Sequence, residues 1–279
     1  MTNLVTQTLK EDLSETGDIT SQAIFTTEKD IFNLVSKDTG ILCGSTTAIE
    51  VFNEVDAEIS VTFLKHDGDE LSPGTLVAVI SGKVRSILTA ERTALNFLSH
   101  LSGIATKTHR YTLAAKGAVV LDTRKTIPGL RELEKYAVTC GGGQNHRMGL
   151  YDMVMIKDNH IDAAGGIPQA VQRIRDMWGD TYRIEVEART LEEVRLALDS
   201  AADRIMLDNM PLQMMKEAVL MVGETAETEA SGNVTLERIP SIADTGVNFI
   251  SVGGLTHTVT AFDFSLRNSV NNSWQQVSD

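Results

Sequence analysis

The chain has 279 residues, 42% of them hydrophobic and 23% charged, with a formal charge of −13 and a pI near 4.9. Such a length and composition suit a globular protein with a substantial core, in one large α/β domain or two of ordinary size. The acidic balance argues against a broad nucleic-acid or anionic-membrane footprint, so any anion must be met in a local pocket.

The start, "MTNLVTQTLKEDLSETGD", lacks the basic opening and apolar stretch of a secretory signal. Runs such as "TLVAVI" and "MVMI" are too short to cross a bilayer, and a cytoplasmic location is expected. Cys43 and Cys140 stand far apart with no partner spacing and read as two buried thiols.

Residues 31 to 85 hold β-like runs, "IFNLVS", "ISVTFL" and "TLVAVISGKV", with turn signals at "HDGDE" and "SPGT". Between them "TTAIEVFNEV" spaces its apolar residues like a helix. "SILTAERTALNFLSHLSGIAT" then runs helically, with Gly103 as the expected stop. Residues 1–103 are therefore predicted to form an N-terminal α/β sandwich on a mostly antiparallel sheet.

From residue 104 a different rhythm begins. Apolar runs recur at "AVVLDTRK", "DMVMIKDN", "YRIEVEA", "DRIMLDNM" and "NFISVGGL", with a weaker one at "AETEASGN". Helical patterns lie between several of them: "IPQAVQRIRDMW", "TLEEVRLALDSA", "PLQMMKEAVLMV" and "VTLERIPSIADTG". Thr190 with Glu193 three residues on reads as a capping box. The alternation means parallel βα units. Each strand turns charged only at its last residues, as in a barrel whose C-terminal strand ends build the site. A doubly wound open sheet would alternate in the same way, but no G-x-G-x-x-G follows the first strand. Residues 104–279 are predicted to form an incomplete parallel α/β barrel of six or seven strands, with the last residues packing back on the N-terminal domain.

Three groups of residues converge on the predicted mouth. Cations come from Arg124, Lys125, His146, Arg147 and Lys157; arginine grips carboxylates in a fork, and lysine meets phosphate as a point charge. Glu187 and Asp208 end successive strands, and two carboxylates beside such a pocket suit Mg²⁺ held with a substrate phosphate. Their ordinary alternative is ion pairing with those same cations. Glycine-rich turns at 141 to 143, at Ser231 and Gly232, and at Gly253, Gly254 and His257 offer backbone N–H groups to phosphate. Histidine spacing provides no zinc motif, and no G-x-S-x-G elbow occurs. A Schiff-base lyase using Lys125 or Lys157 is the mechanistic rival, and a non-catalytic metabolite-binding protein is the rival from another class.

Several motifs in order, "ERTALNFLSHLSGIAT", "DTRKTIPGLRELEKYAV", "GGGQNHRMGLYDMVMIKDNH", "EVE", "LDN", "EASGN" and "TGVNFISVGGLTH", resemble the quinolinate phosphoribosyltransferases over nearly the whole chain. The family is also called nicotinate-nucleotide pyrophosphorylase (carboxylating). The resemblance implies transfer of phosphoribosyl from 5-phosphoribosyl 1-pyrophosphate to quinolinate with Mg²⁺, giving nicotinate mononucleotide, pyrophosphate and CO2 in NAD biosynthesis. It implies a homodimer or hexamer in which Arg92 reaches the partner's site. It also implies that Arg124, His146 and Arg147 hold quinolinate while Lys125 and Lys157 line the pocket. Glu187 and Asp208 would face ribose and metal, and Ser231, Gly232, Gly253, Gly254 and His257 would bind phosphate. A paralogous group linked to molybdenum transport shares "TRKT" and the glycine-rich motifs but departs from "KDNH", and ranks second.

Overall fold

The computed structural model describes residues 2–269 of the chain. They divide into two compact units, one of residues 2–106 and 259–269 and the other Lys107–Thr258.

The first unit begins with two helices, α1 (Thr2–Leu13) and α2 (Ile19–Ile24). The Asp18 side chain caps α2 by accepting from Thr20 and Ser21 N–H. Then follow β1 (Lys29–Ser36), β2 (Gly40–Ile41), α3 (Ser45–Val55), β3 (Ser60–Phe63), β4 (Glu70–Leu71), β5 (Leu76–Lys83) and α4 (Val84–Ala114). Strand β1 alternates, burying Phe32, Leu34 and Ser36, as a sheet with one covered face requires. The expected antiparallel sheet is present, with strand order β12-β1-β5-β3. Its fourth member, β12 (Phe264–Asn268), comes from the far end of the chain and pairs Leu266 with Leu34. Ile87, Ala90, Ala94, Leu98 and Leu101 give α4 a fully buried stripe at helical spacing.

Gly103 is not a helix stop. Helix α4 continues for 31 residues through Ala114, and a Cβ at Gly103 would overlap the carbonyl oxygen of Thr260. This glycine admits a crossing backbone, a use that a propensity reading confuses with a cap.

The second unit alternates strands and helices, at one point with two helices in succession. After β6 (Val119–Leu121) come α5 (Arg131–Cys140), β7 (Val154–Ile156), α6 (Asp158–Ala164), α7 (Ile167–Trp178), β8 (Ile184–Ala188) and α8 (Leu191–Asp199). They are followed by β9 (Arg204–Asp208), α9 (Leu212–Val222), β10 (Glu227–Ser231), α10 (Ile239–Ala243), β11 (Phe249–Ser251) and α11 (Gly254–His257). The six strands are parallel in the order β6-β11-β10-β9-β8-β7. From β7 to β11 sequential neighbours pair, and the last strand, β11, returns to pair with the first, β6. That is the ordering of a barrel, and it rules out the doubly wound alternative. Between β6 and β7 there is no ladder, only a single bridge from Leu121 to Gln144, so the barrel is incomplete.

Thr190 caps α8 by accepting from Glu193 N–H at 3.1 Å, while the Glu193 carboxylate returns to Arg189 N–H at 2.6 Å. The cap is the predicted one, closed one residue earlier than a strict capping box. "VTLERIPSIADTG" is helical only over the five residues of α10. Pro240 sits in its first turn, where a missing N–H is harmless, and a longer helix would need that donor. Cys43 is buried as expected; Cys140, at the end of α5, is only half-buried.

Candidate active site

Period-two alternation determines what the barrel encloses. On β8, Ile184, Val186 and Ala188 are buried on one side while Glu185 and Glu187 point to the other. Register aligns Glu185 with Arg204 and Glu187 with Met206 across β8 and β9. Across β9 and β10 it aligns Arg204 with Glu227, Met206 with Glu229, and Asp208 with Ser231. The interior is thus built in charged layers, with Glu187, Asp208 and Ser231 at the C-terminal ends. Barrel interiors are more often filled by branched aliphatic residues.

A cavity of about 850 Å³ opens at these ends. Its lining contains Arg124, Lys125, His146, Arg147, Lys157, Glu187, Asp208, Ser231, Gly232, Gly253, Gly254 and His257. Twelve predicted site residues, drawn from all six strand ends and the 144–147 turn, are therefore brought together. Arg92 lies elsewhere, exposed on α4 in the first unit. That unit holds a hollow of about 900 Å³, lined in part by Asp18, Asp56, Lys83 and Arg85. Its charges are largely engaged: Asp18 caps α2, and Lys83 pairs with Asp56 and Glu58. The barrel mouth is different. Among the described residues no carboxylate forms an ion pair with Arg124, Lys125 or Arg147.

Arg124 and Arg147 sense each other. Burial and then the Arg124 charge lower the proton affinity of Arg147, against Glu185 and Asp152. Arg147 is steadied by its own turn, donating to Met153 O at 3.2 Å and reaching Met155 Sδ at 3.6 Å. Lys157 stands 3.7 Å from Glu187. Burial pushes the Glu187 carboxyl up; Lys157 opposes this, while Asp208 and Asp158 reinforce it. Glu187 and Asp208 are accordingly crowded acids at the mouth.

The glycines divide by role. A Cβ at Gly232 would collide with the Asn209 side chain, whose oxygen accepts from Asn233 Nδ2 at 3.0 Å. A Cβ at Gly253 would approach within 3.0 Å of the Lys125 stem. Both glycines let functional neighbours come close to bare backbone. The run Gly141–Gly143 does not join them. Gly141 N–H closes α5 onto Ala137 O at 3.1 Å, Gly142 takes φ +85°, and Gly143 packs against Val138 and Thr108. These three glycines end a helix, and the phosphate expectation fails for them.

Beneath the mouth lies a floor that sequence spacing did not single out. His146 Nε2 is 2.9 Å from Glu185 and 3.4 Å from Glu229, and both carboxylates are completely buried. Arg204 reaches Glu229 at 3.1 Å and Glu227 at 2.9 Å, with its guanidinium 3.9 Å over the Phe249 ring. Burial and then the Glu229 charge lift Glu185 to about 7. Burial opposes a charge on His146, but Glu185 and Glu229 outweigh it and would raise the imidazole to about 9. Arg147 N–H pulls the other way, donating to Nδ1 at 2.7 Å, and an accepting Nδ1 carries no proton. The backbone contact decides, since chain connectivity holds it in place: the ring keeps one proton, on Nε2, facing the carboxylates. Nδ1 is then occupied by the Arg147 N–H, while Nε2 faces the two carboxylates without an aligned hydrogen bond to either. The one available signal was the period of two in "EVE" and "ETE", which marks inward-facing acids on two strands.

The profile of the quinolinate phosphoribosyl transferase C-terminal domain matches residues 104–267, and that of the N-terminal domain matches residues 18–102. The chain is 47% identical to a chloroplastic nicotinate-nucleotide pyrophosphorylase [carboxylating] of Arabidopsis thaliana, over 93% of this chain and 80% of that protein. It is 44% identical to a probable nicotinate-nucleotide pyrophosphorylase [carboxylating] of Bacillus subtilis, over 94% and 91%. Among solved structures, the nicotinate-nucleotide pyrophosphorylase of Francisella tularensis superposes with a TM-score of 0.93 at 42% identity, covering 96% of this chain and 95% of that one. NadC of Streptococcus pyogenes gives 0.92 at 40% identity, over 95% and 94%. The charged barrel mouth and these likenesses lead to one conclusion: the chain belongs to the quinolinate phosphoribosyl transferase family.

Proposed function

We propose that this chain transfers phosphoribosyl from 5-phosphoribosyl 1-pyrophosphate to quinolinate and releases pyrophosphate and CO2, forming nicotinate mononucleotide for NAD biosynthesis. The observation that carries the reading is that Arg124 and Arg147 line one cavity and, among the described residues, neither is ion-paired with a carboxylate. A dianionic pyridine acid supplies the missing negative charge to both forks. Lys125 and Lys157 add compact cations, and the turns at Ser231–Gly232 and Gly253–Gly254 offer backbone to phosphate.

The chemistry follows from where the charges lie. The pyridine nitrogen attacks the anomeric carbon as the bond to pyrophosphate breaks, and positive charge builds on the ribose. Glu187 and Asp208 stand at the strand ends where that charge would develop. Loss of CO2 from the ring position beside the now quaternary nitrogen follows, and a proton replaces it. The donor set fits Mg²⁺, since burial, with Asp208 and Asp158 adding to it against Lys157, already pushes the Glu187 carboxyl up, and a hard, oxygen-seeking cation would relieve that. Glu187 and Asp208 would hold it with substrate oxygens; when bound, it neutralises charge on the leaving pyrophosphate. His146, turned to the floor, supports the pocket from below.

Incubation of the protein with both substrates and Mg²⁺ should yield nicotinate mononucleotide and one pyrophosphate per turnover. Binding of quinolinate without pyrophosphate release would leave a metabolite-binding protein, and borohydride trapping of a lysine adduct would favour the lyase. For the assembly, we read a two-fold oligomer in which Arg92 serves the partner's site. Arg92→Ala and Asp208→Ala should each be nearly inactive, and their co-expression should restore part of the activity. Mixed dimers as inactive as either parent would refute sharing.

A further inference from the structure

Two cation-bearing turns define the carboxylate end of the cavity, residues 123–125 after β6 and residues 146–147. Their guanidiniums carry like charge, and the Arg124 charge, after burial, disfavours the charged form of Arg147, so the spacing between the two is not self-maintaining. Something else must hold the turns together.

Helix α5 does so from outside the cavity. Lys135 is completely buried, and so is Asp122, the residue at the root of the first turn. The Lys135 ammonium donates to the Asp122 carboxylate and, at 2.9 Å, to His146 O in the second turn. The same Asp122 oxygen accepts from His146 N–H at 2.9 Å. In the amide orientation its neighbours require, Asn145 donates to the other Asp122 oxygen at 2.6 Å and to Lys135 O at 2.9 Å. One helical turn earlier, Arg131 repeats the pattern with Thr126 Oγ1 at 3.1 Å and Met148 O at 3.2 Å. Glu134 accepts from Ile127 N–H at 3.1 Å. Lys135 and Arg131 thus each tie the two segments together by directional bonds, Glu134 holds the first, and none of the three lines the cavity.

A hydrocarbon side chain would fill the space of Lys135 without the cost of burying an ion pair. What it could not do is tie two loop backbones to one point. We propose that Lys135, seconded by Arg131, is a positioning residue that sets the separation of Arg124 and Arg147 and thereby the enzyme's grip on its dicarboxylate substrate. The inference rests on the function proposed above.

The test compares Michaelis constants for the two substrates in the intact protein. Lys135→Met with Asp122→Asn removes both buried charges together, so neither is left unpaired. Its KM for quinolinate should rise by about tenfold to a hundredfold, as small misplacements of binding groups do. KM for 5-phosphoribosyl 1-pyrophosphate should stay within about twofold, because its proposed turns lie on β10 and β11. Arg131→Met leaves the buried pair intact and should shift the same constant in the same direction by less. It decides the matter if the double variant does not fold. A parallel rise in both constants, or no rise in quinolinate KM in a folded variant, overturns the proposal. Failure of the unsubstituted protein to use quinolinate at all would instead overturn the function on which it rests, and that result is read before any variant is made.

Discussion

The mouth and the floor of the barrel contain the same residue types and use them in opposite ways. At the floor, Arg204 pairs with Glu229 at 3.1 Å and the His146 ring lies 2.9 and 3.4 Å from Glu185 and Glu229, so these buried groups face one another within the fold. At the mouth, Arg124, Lys125 and Arg147 line a cavity without an ion-pair partner among the described residues, and Glu187 has only the longer 3.7 Å contact to Lys157. The hollow of the first unit resembles the floor in part, since its Lys83 is paired with Asp56 and Glu58. Charge that a fold has already balanced contributes to structure. Charge left unbalanced in a concave site is available to a ligand.

The comparison predicts that mouth substitutions alter kinetics and floor substitutions alter stability. The largest kinetic effect belongs to the mouth acids. Asp208→Ala and Glu187→Ala should reduce kcat by on the order of 10²-fold or more while quinolinate binding changes little, because they act on charge that develops in the transition state. Their unfolding free energy should move by less than about 1 kcal/mol, as is usual for partly exposed charges. Near-normal turnover in both variants would return these acids to the structural class.

Next come the forks. Arg124→Lys and Arg147→Lys keep the charge and lose the bidentate geometry, so quinolinate affinity should fall by roughly tenfold or more. Nicotinate, with one carboxylate fewer, should bind the unsubstituted enzyme far more weakly than quinolinate. Isothermal titration with the two acids checks both statements, and equal affinities would remove the reason for paired arginines here.

At the floor the readout reverses. Glu229→Gln leaves Arg204 and the His146 N–H facing a group that no longer balances them, in a fully buried position. Stability should drop by roughly 3 to 5 kcal/mol, the usual consequence of breaking one side of a buried pair. Denaturant unfolding measures this directly. A stable Glu229→Gln protein with impaired turnover would place Glu229 with the mouth and break the comparison.

Much of this division was legible in the sequence, but unevenly. All six barrel strands, even the weak "AETEASGN", were visible because an apolar run ending in charge is a local signal. Most of the cavity residues followed from the rule that strand ends build the site; His146 and Arg147 lie on the turn at 144–147. The floor was harder to see: Glu185 and Glu229 are 44 residues apart and meet only because β8 and β10 flank β9. Lys135 was hidden for the same reason, since a lysine on a helix reads as solvated surface until the fold buries it. Gly103 and Gly141–Gly143 show the ambiguity of glycine, which serves close approach, helix ends and ligand turns alike. The pairing of β12 with β1 spans most of the chain, and no local pattern encodes it.

The last prediction tests how Asp122 is balanced. Burial raises its carboxyl from 3.8 to about 6, although the Lys135 ammonium and the His146 N–H both favour the ionised form. At neutral pH it is therefore still a carboxylate and the pair with Lys135 is intact. The folded chain nevertheless binds the Asp122 proton more tightly than the unfolded chain does. This contribution to stability is fully present below the unfolded pKa of 3.8 and is lost as pH rises through about 6. A side-chain amide cannot titrate in this range, so subtracting the stability of Asp122→Asn from that of the unsubstituted protein isolates the term from other acids. The difference should decline by on the order of 2 to 3 kcal/mol between pH 4 and 6.5 and then level off. A difference that grows with pH would mean that the lysine and the backbone donors outweigh burial, so that Asp122 belongs with acids stabilised as anions.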